Sequence, residues 1–199
     1  MTLGSQLVQT TQAAGTAMNA GEYERLALSD GRHHWELNRG RLRQKPALVR
    51  EHADVIFQLG VLLHQQISRN EYRIHVDNGR LRRATENYSI PDLIVIPRAL
   101  SQHLRGRPDW LEVYPDPLPL VVEVWSPSTG DYDVAAKLPE YQQRGDQEIW
   151  YLHPYQHTLT AWRRRPDGSY VESTYTTGSV PVMSLPNVVI DLSSLFDAD

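Results

Sequence analysis

The sequence predicts an α/β fold. Three short apolar segments have the length and composition of buried strands, namely 93–96, 120–125 and 148–152. Between residues 50 and 69 the apolar residues recur at the spacing of one helix face, which is typical of an amphipathic helix. Turn residues at 38–40 and 164–168 separate pairs of β-forming segments, so we expect one β-hairpin near each end of the chain.

In the first half of the chain the expected elements follow one another closely. A short helix, a hairpin, the amphipathic helix and a strand are predicted, in that order, at about 20–28, 33–45, 50–69 and 72–76. Asp77-Asn-Gly79 is a strong signal for a tight turn. The apolar strand that follows begins at Asp92. Residues 97–118 are rich in proline and arginine and lack periodicity, which predicts a long, partly helical connection.

In the second half, a strand that carries Glu123 leads into a helix over 131–144. Pro139 lies inside this helix and costs a helix interior about 3 kcal/mol, so we expect a kink or two short helices. A strand, a C-terminal hairpin and a closing turn capped by Asp191 are predicted at 148–152, 158–176 and 188–196. We expect one domain over 20–199, preceded by a loose tail over 1–19.

The composition excludes several kinds of site. The chain has 199 residues, 40% of them hydrophobic, and its lack of cysteine excludes disulfides, thiolate nucleophiles and cysteine-based zinc sites. No apolar run approaches the ~20 residues that cross a bilayer, and the first twenty residues lack a signal-peptide pattern. We therefore expect a cytoplasmic protein without a membrane partner. The formal net charge of −4 means that nucleic-acid binding would depend on local basic patches.

Two acidic residues belong to apolar strand segments, where an ionised carboxylate is costly. Glu123 lies in the middle of one segment, and Asp92 stands at the start of another. Moving an ion out of water costs several kcal/mol, so a buried acid needs a partner, a proton or a bound cation. Two such acids on separate strands suggest a metal site. The alternative for Asp92 is hydrogen bonding to nearby backbone amides, which aspartate often makes.

Several motifs together resemble those of a known superfamily. Pro91-Asp92, then Glu123, then a downstream lysine resembles the PD-(D/E)xK nuclease superfamily. More narrowly, the chain resembles the bacterial Uma family of restriction endonucleases over about 20–196, through Trp35-Glu-Leu37 with Gly40, His52, Pro91-Asp92-Leu-Ile-Val95, Val122-Glu-Val-Trp-Ser-Pro-Ser-Thr129, Lys137-Leu-Pro-Glu-Tyr141, Gly145 and Glu148-Ile-Trp150. The resemblance implies a restriction-endonuclease-like mixed central β-sheet flanked by helices, extended by an N-terminal and a C-terminal hairpin.

The resemblance also implies a divalent metal ion, held by Asp92, Glu123 and the backbone carbonyl of Val124. Oxygen ligands suit Mg²⁺ or Mn²⁺. A lysine of the site would orient the attacking water or neutralise the developing charge. In the simple motif this lysine lies two residues after the glutamate, where this chain has Trp125, so the resemblance implies Lys137 instead. The alternative for Lys137 is an exposed ion pair with the aspartate four residues before it.

Three further residues are candidates for the site. The resemblance implies that Glu36 is a further acid of the catalytic centre, whereas its place on a strand fits a side chain that faces water equally well. His52 either approaches the substrate or caps the start of the amphipathic helix, and we favour the structural role. Tyr141, one turn after Lys137, is more typical of the edge of the core, although its hydroxyl could contact the site.

The function that the resemblance implies is metal-dependent endonucleolytic hydrolysis of DNA phosphodiester bonds. We expect a homodimer, because double-strand cleavage favours two sites related by a two-fold axis. Basic clusters could bind phosphates if they lined one face with the acids, although such runs are usually solvated surface: 39–50, 80–83, 98–107 and 163–165.

Two alternatives to this function stay open. The net acidity and the displaced lysine favour a protein of the same fold that binds nucleic acid without cutting it, or that needs a partner to cut. In a further alternative an arginine holds Glu123, and the domain binds neither DNA nor metal.

Overall fold

The computed structural model describes residues 17–47, 49–83, 86–128 and 130–197. Most of the predicted tail therefore lies outside the described residues. The strands are β1 (Trp35–Asn38), β2 (Arg41–Gln44), β3 (Tyr72–Val76), β4 (Arg80–Arg82), β5 (Tyr88–Ser89), β6 (Leu93–Pro97), β7 (Val113–Tyr114), β8 (Leu120–Val124), β9 (Glu148–His153), β10 (Thr158–Arg164), β11 (Tyr170–Tyr175), β12 (Ser179–Pro181) and β13 (Val189–Asp191).

Most of the helices are short. In chain order they are α1 (Ala20–Ser29), α2 (Arg50–Gln66), α3 (Arg98–Ser101), a 3₁₀ turn (Gln102–Leu104), α4 (Gly130–Tyr132), a π-helix (Asp133–Lys137), α5 (Leu138–Arg144) and α6 (Leu192–Phe196). Asp191 caps α6 by accepting a hydrogen bond from the Ser194 amide, as predicted. None of the helices in the described ranges combines the length and the apolar composition that crossing a bilayer requires.

The largest sheet has six strands, in the order β11-β10-β9-β8-β6-β3. β8 and β9 are parallel, whereas the other neighbouring strands are antiparallel. β8 is buried along its whole length, as its continuous apolar sequence predicted. The predicted mixed central sheet is therefore confirmed, with α2 packed on one face and α5 on the other. β10 and β11 form the predicted C-terminal hairpin.

A second sheet has five strands, in the order β2-β1-β5-β4-β7. β1 and β2 form the predicted N-terminal hairpin, whose turn places Arg39 and Gly40 at φ values of 50° and 74°. Tyr23 of α1 packs with Leu37 and Tyr88 in a small core beneath this sheet. β5, β7 and β12 were not predicted, because two or three residues are too few to show a period.

Alternation along β6 and β8 sorts their side chains onto two faces. One face packs against α2 and carries Leu93, Val95, Leu120, Val122 and Val124. The opposite face packs against α5 and carries Ile94, Ile96 and Val121. By the same period of two residues, the side chains of Asp92 and Glu123 belong to the α5 face. The two acids therefore lie on one side of the sheet, which the metal-site hypothesis requires.

The helix predicted over 131–144 is divided into α4, the π-helix and α5. Pro139 lies in the first turn of α5, where its missing N–H group costs little. Within the π-helix the Leu138 amide donates to the carbonyl of Asp133, five residues earlier. The three parts follow one another without a break, so the region is one helical run rather than two separate helices, and the π turn inside it was not predicted.

Candidate active site

Asp92 and Glu123 open onto one cleft. Asp92 immediately precedes β6, and Leu93 pairs with Val122 of β8, so the two acids are close neighbours across the sheet. Their exposed fractions are 2% and 3%. We call this space of about 340 Å³, part of it open to solvent, the acidic cleft; it is lined by Glu36, Arg43, Lys45, Pro46, Ala47, His52, Asp92, Glu123, Ser126, Asp133 and Lys137.

The ammonium group of Lys137 is shared by three carboxylates. Its Nζ lies 3.0 Å from Glu36 Oε1, 3.1 Å from Glu123 Oε1 and 3.1 Å from Asp133 Oδ1. Burial alone would lower the pKa of Lys137, but the charges of Glu123 and Glu36 outweigh it and hold the pKa well above its ordinary value. Lys137 is therefore a buried cation. Its pair with Asp133 exists, but the expectation that this pair is exposed is wrong.

Glu123 is held by Lys137 and by a tyrosine. The hydroxyl of this fully buried residue, Tyr141, donates to Glu123 Oε1 at 2.5 Å, although Tyr141 does not itself line the acidic cleft. Burial raises the pKa of Glu123 well above its ordinary value; the ammonium of Lys137 opposes the shift, and the carboxylates of Asp133 and Asp92 add to it. The alternative in which an arginine holds Glu123 is wrong.

Asp92 accepts two hydrogen bonds on Oδ2 and forms an ion pair through Oδ1, so both of its oxygens have partners. Lys45 Nζ lies 2.7 Å from Oδ1, His52 Nε2 lies 3.0 Å from Oδ2, and the Val124 amide donates to Oδ2 at 2.7 Å. Burial would raise the pKa of Asp92, but the charge of Lys45 and the hydrogen bond from His52 outweigh it, so the pKa lies below its ordinary value. The backbone-amide contact proposed as an alternative is thus one part of a larger network.

Sequence reasoning missed Lys45, which follows β2 directly. Besides Asp92, its Nζ contacts Asp77 Oδ1 at 2.6 Å and donates to the carbonyl of Ile90 at 2.9 Å. Burial opposes its charge, but Asp92 raises the pKa of Lys45 above its ordinary value. The amino-acid composition contained a signal that could have identified Lys45. The chain has eighteen arginines but only two lysines, and both lysines line the acidic cleft.

Neither Glu36 nor His52 has the purely structural role that was considered for it. Glu36 is 2% exposed, and its Oε1 accepts a hydrogen bond from the Ile90 amide at 2.9 Å. The interpretation of Glu36 as a water-facing residue is therefore wrong. His52 contacts Asp92, and the N-cap residue of α2 is Val49, without a side-chain cap. The expected capping role of His52 is therefore also wrong.

The basic clusters contribute little to the described lining of the cleft. Among the described residues that line the cleft, the arginine is Arg43, which belongs to the basic cluster over 39–50. Three arginines of the other clusters bind partners within the fold instead, since Arg80, Arg83 and Arg163 contact Tyr23, Glu140 and Glu148 respectively. The basic clusters could bind phosphates only if they lined one face with the acids, and these three arginines do not meet that condition.

The acidic cleft suits a divalent cation in its donor chemistry. Four carboxylates line it together with two lysines and Arg43, and carboxylate oxygens are the donors that Mg²⁺ and Mn²⁺ prefer. No three His, Asp or Glu side chains of the described ranges are gathered as metal ligands. The set implied by the resemblance needs only two acids and the carbonyl of Val124, whose amide lies against Asp92. The residues present therefore fit the ion in the type of their donor atoms.

A comparison with protein families places the whole arrangement within one of them. The family model Uma2, described as "Putative restriction endonuclease", matches residues 20–193. The chain belongs to the Uma2 family. Every residue that lines the acidic cleft lies inside the matched range. The resemblance to the Uma family, inferred from the motifs, is thereby confirmed.

A solved structure has the same fold as this Uma2 chain. It comes from Anabaena variabilis and is described as "a putative nuclease belonging to DUF820". The superposition has a TM-score of 0.73 at 16% sequence identity and covers 90% of this chain and 98% of the other. At this identity the likeness shows the fold alone, and it confirms the predicted nuclease-like architecture. No curated protein matches the Uma2 chain.

In this Uma2 chain Trp125 occupies the lysine position of the simple motif and packs the loop after β8. Its ring stacks on His153 with 4.5 Å between ring centres. The indole also lies directly against Gly130, the first residue of α4, where an added Cβ would be 2.2 Å from Trp125 Nε1. The hydroxyl of Tyr151 donates to the carbonyl of Gly130 at 3.0 Å. The loop that leads to Lys137 is thus fixed by contacts that require a glycine.

Gly130→Ala is expected to lower the free energy of unfolding by about 1–3 kcal/mol, because the new methyl group overpacks the indole. Urea unfolding measures the change. Gly60→Ala is the matched control, since Gly60 lies inside α2 and its nearest neighbour would be 3.9 Å from the added Cβ. Alanine favours a helix by up to about 1 kcal/mol over glycine, so this variant should gain stability. Equal effects of both substitutions would contradict the close packing at Gly130.

Proposed function

We propose that this chain is a metal-dependent endonuclease that hydrolyses phosphodiester bonds in DNA. The observation that carries the proposal is the meeting of Asp92, Glu123 and the ammonium of Lys137 in one buried cleft. The description of the Uma2 family supports nuclease chemistry. We further propose that residues 20–199 act as one domain and that two copies associate, because cutting both strands favours a two-fold arrangement.

The residues proposed to hold the metal ion are Asp92, Glu123 and the carbonyl group of Val124. When bound, a Mg²⁺ or Mn²⁺ ion polarises the phosphodiester and lowers the pKa of a water molecule. Lys45 keeps Asp92 in place through an ion pair with Oδ1, and His52 does so through a hydrogen bond to Oδ2. Such outer contacts orient ligands and are part of how a metal site works.

Lys137 is proposed to supply positive charge where the phosphate becomes more negative during hydrolysis. A preorganised cation in a site with little water is more effective than one in bulk solvent. Glu36 and Asp133 hold the ammonium beside Glu123. The hydroxyl of Tyr141 donates to the same Glu123 oxygen, Oε1, that the ammonium contacts. Hydrolysis joins a water oxygen to phosphorus and breaks one P–O bond of the strand.

Supercoiled plasmid DNA tests this proposal. With Mg²⁺ or Mn²⁺ the wild type is expected to nick the plasmid, whereas Glu123→Ala should leave it intact because a proposed metal ligand is removed. Glu71→Ala is the matched control, since Glu71 is exposed and does not belong to the lining of the acidic cleft. This control should cut as the wild type does. Nicking by Glu123→Ala at the wild-type rate would refute the assignment.

Metal binding has a readout that does not depend on cleavage. Because the chain has two lysines, both in the acidic cleft, lysine-selective isotope labelling yields two side-chain ammonium signals in an NMR spectrum. Both signals should shift when Mg²⁺ is added to the wild type, and neither should shift in Glu123→Ala. A wild-type spectrum unchanged by Mg²⁺ or Mn²⁺ would argue against the proposed ion and leave the family assignment intact.

A second candidate function is DNA binding without cleavage on the same fold. The contacts of Asp92 favour it, since Lys45, His52 and the Val124 amide already engage both carboxylate oxygens. A metal ion would have to compete with these partners for the acid. Salt-dependent binding of DNA together with an intact plasmid under all metal conditions would support this second function.

A further inference from the structure

Arg43 lies in the acidic cleft, and its guanidinium forms no hydrogen bond or ion pair with the described part of the chain. It lies on β2 directly opposite Glu36 of β1, so the two side chains share one face of the hairpin. Glu36 does not neutralise it, because that carboxylate contacts Lys137 and the Ile90 amide. Lys45 is likewise committed to its carboxylates. The N–H donors of Arg43 are therefore available to a ligand in the cleft.

An aromatic ring fixes the plane of this guanidinium. Arg43 Cζ lies 3.4 Å from the ring centre of Tyr132 in α4. The hydroxyl of Tyr132 accepts a hydrogen bond from Asn38 Nδ2 at 3.0 Å, which ties the ring to the end of β1. Stacking on the ring uses one face of the guanidinium and leaves its N–H edges free. A planar fork held in this way loses little freedom when it binds an anion.

We propose that Arg43 binds a backbone phosphate of the nucleic-acid strand that enters the acidic cleft. The inference rests on the proposed function and adds the group that positions the substrate. Two parallel N–H donors match two phosphate oxygens. The charge of Arg43 is needed to attract the phosphate, because four carboxylates line the cleft and repel an anionic strand. Both lysines are already paired with carboxylates. Contact with a phosphate positions the strand without selecting a base sequence.

The test measures the affinity of a fluorescent DNA duplex, with Mg²⁺ present, for the Glu123→Ala protein, which the proposed function expects not to cut. Adding Arg43→Ala should weaken binding about tenfold or more, the effect of losing a charged hydrogen bond. The negative slope of log affinity against log salt concentration should become shallower by about 0.9, because one phosphate contact is lost. Adding Arg41→Ala is the matched control, since Arg41 is exposed on the same strand outside the lining of the cleft. Its salt slope should stay unchanged.

Two more variants separate charge from geometry. Arg43→Lys should keep the salt slope but bind more weakly, because an ammonium lacks the planar fork. Tyr132→Leu should weaken binding at an unchanged slope, since the charge stays and only its support is lost. Equal affinities for Arg43→Ala and Arg41→Ala would overturn this inference alone. A wild type that neither binds nor cuts DNA would instead overturn the proposed function.

Discussion

Lys137→Met is expected to lower the free energy of unfolding by about 3–5 kcal/mol, the cost of leaving buried charges without their partner. The ammonium contacts Glu36, Glu123 and Asp133 at 3.0–3.1 Å, so its removal leaves three carboxylates close together. The variant should also fail to nick plasmid DNA, because the proposed positive charge at the phosphate is gone. Urea unfolding measures the first effect, and the plasmid assay, run where the variant is still folded, measures the second.

Arg50→Met is the matched comparison for Lys137→Met. Arg50 and Asp54 are four residues apart, as Lys137 and Asp133 are, but their side chains are 88% and 67% exposed. Exposed pairs contribute at most about 1 kcal/mol, so this variant should change stability little. Similar losses in the two variants would contradict the interpretation of Lys137 as a buried cation. Normal nicking by Lys137→Met would remove this lysine from the proposed chemistry.

Asp92→Asn is expected to lower the free energy of unfolding by about 3 kcal/mol or more at neutral pH, and this difference should shrink in acid. Burial opposes ionisation of Asp92, but Lys45 and His52 lower its pKa below the ordinary value. A lowered pKa in the folded state adds stability above the pKa of the unfolded chain, about 3.9. That stability is lost as the pH falls through the folded-state pKa. The wild type should therefore lose stability faster than Asp92→Asn below about pH 4.

Asp54→Asn is the control for this pH dependence, because Asp54 is a mostly exposed aspartate. Urea unfolding of all three proteins over a series of pH values gives the differences in free energy. The curve for Asp54→Asn should follow that of the wild type at every pH. A difference between the wild type and Asp92→Asn that stays constant down to the acid limit would show that the ionised form of Asp92 is not what stabilises the fold.

The acids of the site could be predicted because they belong to periodic elements. Glu123 interrupts an apolar strand and Asp92 begins another, so their burial follows from the sequence alone. Their convergence follows from the alternation of side chains along paired strands, once the register of β6 and β8 is known. The register itself could not be predicted, because it depends on which of several apolar strands become neighbours.

The cations of the site could be predicted only in part. Lys137 was expected from the resemblance, but its reach into the cleft depends on a π turn that has no clear sequence signature. Lys45 follows a strand of the second sheet, and no period connects it with Asp92. Arg43 was included only in a broad basic cluster. These three side chains meet the acids through the packing of distant segments, which local patterns do not encode.

Both lysines of the chain are enclosed, with side chains that are 7% and 5% exposed. Reagents that acylate or alkylate amines therefore meet no lysine side chain on the folded surface. A lysine can react only when the cleft opens locally and exposes its ammonium group. The rate at which such a reagent consumes these two amines thus measures how often the N-terminal hairpin and the π-helix move away from the sheet.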